Sequence, residues 1–264
     1  MRRTTVNGFG RQVEGWRAPR RQIRGNRLTD LALAIVASLA AAFLLAGCEH
    51  VQGYTPVSLV RVIDASYNAP ALNVYVEGSL LATNIGQGTI SPYGDFSPTS
   101  STSISVTTTQ STNPLVTATG SLVANQTSSA LITDINATYQ VTLLEDQSTP
   151  APSGHSDFRI LNQAPSTGPI DVYFLAGTTA ADYASAKPVI TAIAVGATSG
   201  YVSIPSSTLF MVIAASGTTL TTTSKSIYVS AALPLVGGEV RTVLVVDPLI
   251  STAPVQVYTA SDVN

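Results

Sequence analysis

"VRVIDASYNAPALNVYV", residues 60–76, returns as "FRILNQAPSTGPIDVYF", residues 158–174, with no gap between the two copies. Arg61 falls on Arg159, and Asn73-Val74-Tyr75 falls on Asp171-Val172-Tyr173. A second block follows the same rule: "LVANQTSSALITD" at 122–134 matches "LVGGEVRTVLVVD" at 235–247. The offset is 98 in the first block and 113 in the second, so the later copy carries extra residues. Much of the surplus is "GTTAADYASAK" at 177–187, which reads as a short helix or a loop. Copies of this length are far longer than the 20–50 residues of solenoid repeats. Each is therefore expected to be a domain with its own core.

Within each copy, apolar residues alternate with polar ones or come in short β-branched runs, and Gly, Pro, Asn and Ser punctuate the gaps. The first copy offers strands at 59–64, 72–77, 80–85, 104–108, 115–123, 129–134 and 139–144. The second offers them at 158–162, 170–175, 189–195, 209–214, 226–232, 240–247 and 255–259. About seven short strands per hundred residues predict an all-β chain with two tandem immunoglobulin-like antiparallel β-sandwich domains. The expected bounds are 58–147 and 157–264, with 148–156 as a Pro/Ser/Gly linker of semi-rigid character.

Composition supports this class. Of 264 residues 45% are hydrophobic, enough for real cores, and only 11% are charged, against about a quarter in ordinary domains. Thr and Val suit half-buried strands. Charge is distributed unevenly. Residues 1–47 carry eight arginines against Glu14 and Asp30, a net of +6; from Cys48 onward five basic residues face thirteen acidic ones, a net of −8. An acidic body with no basic stripe argues against nucleic acid as a partner.

The basic stretch to Arg27, the apolar run from Leu31 to Ala46 and the small residues before Cys48 have the layout of an export signal. The sixteen-residue run would span about 24 Å as a helix, short of the roughly 30 Å hydrocarbon core. Leu45-Ala46-Gly47-Cys48 resembles a bacterial lipobox. That resemblance implies a signal peptide over 1–47, diacylglycerol on the Cys48 thiol and a lipidated leash over 48–57. The membrane is then a partner through acyl chains, and two or three chains hold where one is marginal. Glu49 stands where an Asp would signal inner-membrane retention, so outer-membrane or cell-surface placement is favoured.

"VRVIDASYNAPALNVYVEG" and the late "LVANQTSSALITD" and "LVGGEVRTVLVVD" strands are similar to the bacterial family of domains of unknown function numbered 4397. The family typically opens with a strand, then His-Ala-Ser-Pro-Asp-Ala-Pro, then Val-Asp-Val-Tyr, and the resemblance covers nearly all of 58–260 as two copies. Its members are commonly secreted or lipid-anchored, and membership implies no activity. Here the family's His is Asp64 in one copy and Asn162 in the other. A residue that fixes the following turn through side-chain hydrogen bonds explains all three types.

The remaining chemistry is sparse. His50 and His155 have no His or Cys near them in sequence, which gives neither a zinc site nor a base for a nucleophile. No Gly-x-Ser-x-Gly elbow occurs. Asp134 and Asp247 occupy equivalent strand ends, which favours turn roles over catalysis. Tyr75 and Tyr173 alternate with valines, so one of each pair points inward, a Tyr there with its hydroxyl tied to a turn. Arg61 and Arg159 are expected on the outer sheet face. Tyr67, Tyr93, Tyr183 and Tyr201, in loops or at strand edges, are the candidates for an exposed surface that meets a carbohydrate or an envelope protein. The resulting expectation is an exported, lipid-anchored protein that binds or supports and is not an enzyme, with no cofactor and no metal. The alternative is a polysaccharide hydrolase using carboxylates at the domain junction, which would need a pair about 5–9.5 Å apart.

Overall fold

Along residues 58–64 the side chains alternate between two environments, and both are buried. Val60 and Val62 enter one apolar cluster, while Ile63 enters another and Arg61 is 1% exposed. A strand covered on both faces needs a layer on each side. The computed structural model, which describes residues 55–223, 226–250 and 252–263, shows what those layers are.

In the first copy β1 (Ser58–Asp64) lies between β4 (Gly94–Phe96) and β7 (Thr127–Thr133), with β8 (Gln140–Asp146) beyond β7. The opposing sheet runs β3 (Ser79–Ile85), β2 (Leu72–Val76), β5 (Thr99–Thr108), β6 (Pro114–Leu122). Val60, Val62, Leu72, Val74, Val106 and Ile132 are among the residues that fill the space between them. The second copy repeats the plan. One sheet is β12 (Val202–Pro205), β9 (His155–Gln163), β16 (Val240–Val246), β17 (Gln256–Ser261). The other is β11 (Ile190–Ile193), β10 (Ile170–Leu175), β13 (Thr208–Ala215), β14 (Tyr228–Val229), with β15 (Leu233–Pro234) also pairing with β13. The described residues are thus nearly all β, two tandem sandwiches, antiparallel among these strands except for one parallel pair in each: β1 with β7, and β9 with β16.

The strands fall where the apolar pattern puts them, with three exceptions: the two-residue β15, and β4 and β12, which are one exception repeated. β4 and β12 occupy the same edge in the two copies, antiparallel to β1 and β9. "GDF" and "VSIP" are too short and too rich in Gly, Pro and polar residues to register as alternation. The inserted segment forms the helix α1 (Ala180–Ala184), started by a capping box in which Thr179 and Asp182 satisfy each other's backbone N–H groups. Its Tyr183 and Ala186 just beyond it pack against Tyr173, Leu175 and Val212 on the outer face of the β10–β13 sheet.

The stretch between the copies is not a spacer. Ala151 is buried and its N–H donates to Gly238 O, and Gln147 Nε2 donates to Asp157 Oδ2 at 2.8 Å. The β1–β7 and β9–β16 sheets face each other through their second faces, where Ile63, Ala65, Leu131, Leu161, Leu244 and Val246 form a cluster that belongs to neither sandwich core. Residues 55–264 accordingly make one compact unit. Leu161→Ala and Leu244→Ala, both in this seam, should each lower stability by about 2–5 kcal/mol in urea unfolding. Copies joined only as beads on a string would tolerate either change with little loss.

Candidate functional site

The residues repeated between copies each have a visible task. Asp64 Oδ1 accepts the Ser66 N–H at 2.9 Å, and Asn162 Oδ1 accepts the Ala164 N–H at 3.3 Å, so both fix the turn after the first strand. Asn73 Oδ1 accepts from the Asn84 N–H at 3.0 Å, and Asp171 Oδ1 from the Ala192 N–H at 2.7 Å. Asn84 and Ala192 are the left-handed residues, at φ 51° and 53°, of neighbouring strands whose register shifts there. The Asn/Asp of the Val-Tyr motif therefore holds a bulge. Asp134 accepts the N–H groups of Tyr67 and Asn68 at 2.8 Å each, and Asp247 accepts both the N–H and the hydroxyl of Ser166. Tyr173 is buried with its hydroxyl donating to Thr218 O at 3.0 Å, but on the outer face under α1 and not between the sheets.

Arg61 and Arg159 leave their own sandwiches as expected, yet they are 1% and 3% exposed, because each reaches into the other copy. Arg61 Nη2 donates to Asp262 Oδ1, and Arg159 Nη2 donates to Asp146 Oδ1 at 2.5 Å. The exchange is reciprocal, as a two-fold contact requires. Around it, Tyr93 donates its hydroxyl to Asp146 Oδ2 at 2.7 Å and Tyr201 donates to Asp262 Oδ2 at 2.6 Å. Each guanidinium also stacks on its own copy's tyrosine, 4.8 and 4.9 Å from the ring centroids. Ser129 Oγ and Thr242 Oγ1 complete the cluster by donating to Asp146 and Asp262. Two cations and two anions thus balance inside a buried seam. Burial, with the neighbouring carboxylates, holds both tyrosine hydroxyls neutral far above their usual range.

Elsewhere the seam opens. A crevice of about 490 Å³ is lined by loops and strand ends of both copies, among them Tyr67, Asp134, Gln163, Pro165, Asp247 and Pro254. A second cavity of about 360 Å³ shares Gln163 and Ile135 with it and continues to Thr142 and Gly196. Gln163 is 2% exposed, and neither Oε1 nor Nε2 has a partner among the described residues. An amide buried in that state is the least satisfied polar group on either wall.

The four tyrosines taken as one exposed surface therefore divide. Tyr93 and Tyr201 are half-buried anchors of the ionic cluster, and Tyr183 is half-buried against the outer face of β10–β13. Tyr67, 42% exposed, lines the crevice, and Tyr201 also borders a separate hollow with Glu145, Gln147 and Thr149. Cys48 and His50 lie outside the described residues. His155 begins β9, with Nδ1 3.2 Å from Ser153 O. Among the described residues no three His, Cys, Asp or Glu side chains converge as a metal ion would need. The sequence reading missed Gln163, whose copy-one equivalent is Ala65, and it missed Asp262, which lies outside the repeated blocks.

Asp64 generates a prediction. Asn162 Nδ2 donates to Gly168 O and Ile193 O, whereas Asp64 Oδ2 is buried without a partner. Burial first, then the Asp134 carboxylate, push the Asp64 carboxyl above its ordinary value, while its Ser66 bonds oppose the shift. A raised folded value means stability is fully present below the unfolded value, about 3.9, and is lost as pH rises through the folded one. Asp64→Asn should therefore stabilise the protein at pH 7 by about 1–3 kcal/mol. The gain should vanish in unfolding titrations below about pH 4.

The family model described as a domain of unknown function, DUF4397, matches residues 58–173. No curated protein matches the chain. The match begins at β1 and ends within β10, so the chain resembles that domain family over the whole first sandwich and the opening strands of the second.

Proposed function

We propose that this chain is an exported, lipid-anchored protein of the cell envelope, at the outer membrane or cell surface, that binds a ligand or partner and catalyses nothing. Acyl chains on Cys48 anchor it, residues 49–57 form a leash, and the paired sandwiches are carried as one body. The anchoring rests on the lipobox-like Leu45-Ala46-Gly47-Cys48 at the end of the apolar leader.

The observation that carries the binding half of this reading is what the junction carboxylates are engaged in. A hydrolase at the junction would need an acid and a base open to substrate. Asp146 and Asp262 have 0% side-chain exposure and sit in ion pairs, Asp134 and Asp247 hold turns, and Asp157 is buried and accepts from Gln147, which leaves the exposed Glu145 without a second open acid among these. Among the concave surfaces of the described residues, the crevice at Gln163 is built from both copies and is of a size within the range of about 300–1,000 Å³ usual for small-ligand sites. Cys48→Ala should move the protein from the detergent phase to the soluble fraction in cell fractionation. A wild-type protein that already partitions as soluble would contradict the anchored reading.

A further inference from the structure

The two sandwiches dock with near two-fold symmetry, and the symmetry fails on one side. Tyr258 stands opposite Leu244 in the β16–β17 ladder, and Thr142 stands opposite Leu131 at the same place in the β7–β8 ladder. Tyr258 closes over Gly88, where φ is +83° and an added Cβ would come within 2.2 Å of the ring. Thr142 does not close over Gly196, the equivalent glycine, and the second cavity lies there. On this open side the seam also carries Gln163 where the other copy has Ala65. The sealed side holds its unpartnered amide, Gln87, beside the glycine that the Tyr258 ring covers, whereas the unpartnered amide of Gln163 borders both cavities.

The chemistry of the opening narrows what could fill it. A primary amide offers donors and an acceptor in one plane, so its complement is a group that presents both. The walls contribute Asp134 and Asp247 and no Lys or Arg, which disfavours phosphates and other anions. Tyr67, Pro165, Pro248 and Pro254 supply apolar rings to the lining. Every lining residue of the larger crevice lies in a loop or at a strand end, so there is no strand edge for an extended peptide to extend by main-chain pairing. Asn68, Ser166 and the remaining lone pairs of the two carboxylates are suited to several hydroxyls at once.

Resting on the reading that this protein binds and does not catalyse, we propose that the crevice at Gln163 is a site for a neutral saccharide bearing an acetamido group. The Gln163 amide pairs with the acetamido group, Tyr67 and the prolines cover a sugar face, and Asp134 and Asp247 accept hydroxyl protons.

The test is calorimetric titration of the purified full-length protein with N-acetylchitotetraose, cellotetraose and an uncharged, acetyl-capped tetrapeptide. N-acetylchitotetraose should bind saturably, at least tenfold tighter than cellotetraose. Gln163→Leu should weaken that binding at least tenfold while leaving the melting temperature unchanged or raised, since it removes an unpaired buried amide. Tyr67→Ala, on the exposed rim, should weaken it as well. No saturable binding of N-acetylchitotetraose, equal binding of cellotetraose, binding indifferent to Gln163→Leu, or preference for the peptide would each overturn the proposal. Fractionation of the Cys48→Ala variant is read independently, so failure here leaves the anchoring standing.

Discussion

The reciprocal pairing of Arg61 with Asp262 and of Arg159 with Asp146 is the constraint on which the rest of this structure depends. A guanidinium cannot be left unpaired in a seam where its side chain is about 1–4% exposed. Each arginine projects from a central strand away from its own core, and its Nη2 donates to a carboxylate of the opposite copy, while Arg61 Nε also lies 3.7 Å from Asp146 Oδ2 of its own copy. The two sandwiches must therefore dock in the one orientation that crosses the pairs. Such pairs need not outweigh a hydrophobic replacement in net stability, but breaking one leaves a buried charge alone. The apolar cluster around Leu161 and Leu244 supplies area, and the charges supply register.

Duplication explains why the contact can exist at all. A strand that presents Arg outward on a sheet, with Ser or Thr opposite it on the parallel neighbour and an acid on the next strand, is self-complementary about a two-fold axis. Fusing two such copies in one chain lets their seam diverge, which identical subunits related by symmetry could not do. Ala65 against Gln163 and Thr142 against Tyr258 are such divergences, and they are where the seam opens. The crevice is thus a product of rigid docking combined with local asymmetry.

Much of the fold was legible in the residues. Period-two alternation located β1, β2, β9, β10 and β16 closely, and the gapless repeat announced two bodies of one plan. β4 and β12 were not legible, because an edge strand of three or four residues, with Gly or Pro, has no room for a period. Alternation also says which way Arg61 points, but not what covers it: an outward residue on a lone sandwich and an interface residue on a paired one read identically. Tyr93 and Tyr201 were misjudged for the same reason, since a loop aromatic shows its partner only when Asp146 and Asp262 are folded beside it. The turn roles of Asp64, Asn162, Asp134 and Asp247 were readable because Asx residues act on their immediate neighbours. Gln163 was not, as its significance is an absence of partners that only packing reveals.

The account depends on the crossed ion pairs acting across the seam, and a double-mutant cycle on Arg61 and Asp262 tests that most directly. Arg61→Ala and Asp262→Ala should each destabilise the protein by about 3–5 kcal/mol in urea unfolding. The double variant should lose clearly less than their sum, with a coupling energy of about 1–3 kcal/mol. Additive losses, with a coupling indistinguishable from zero, would contradict the claim that this exchange fixes how the two sandwiches meet.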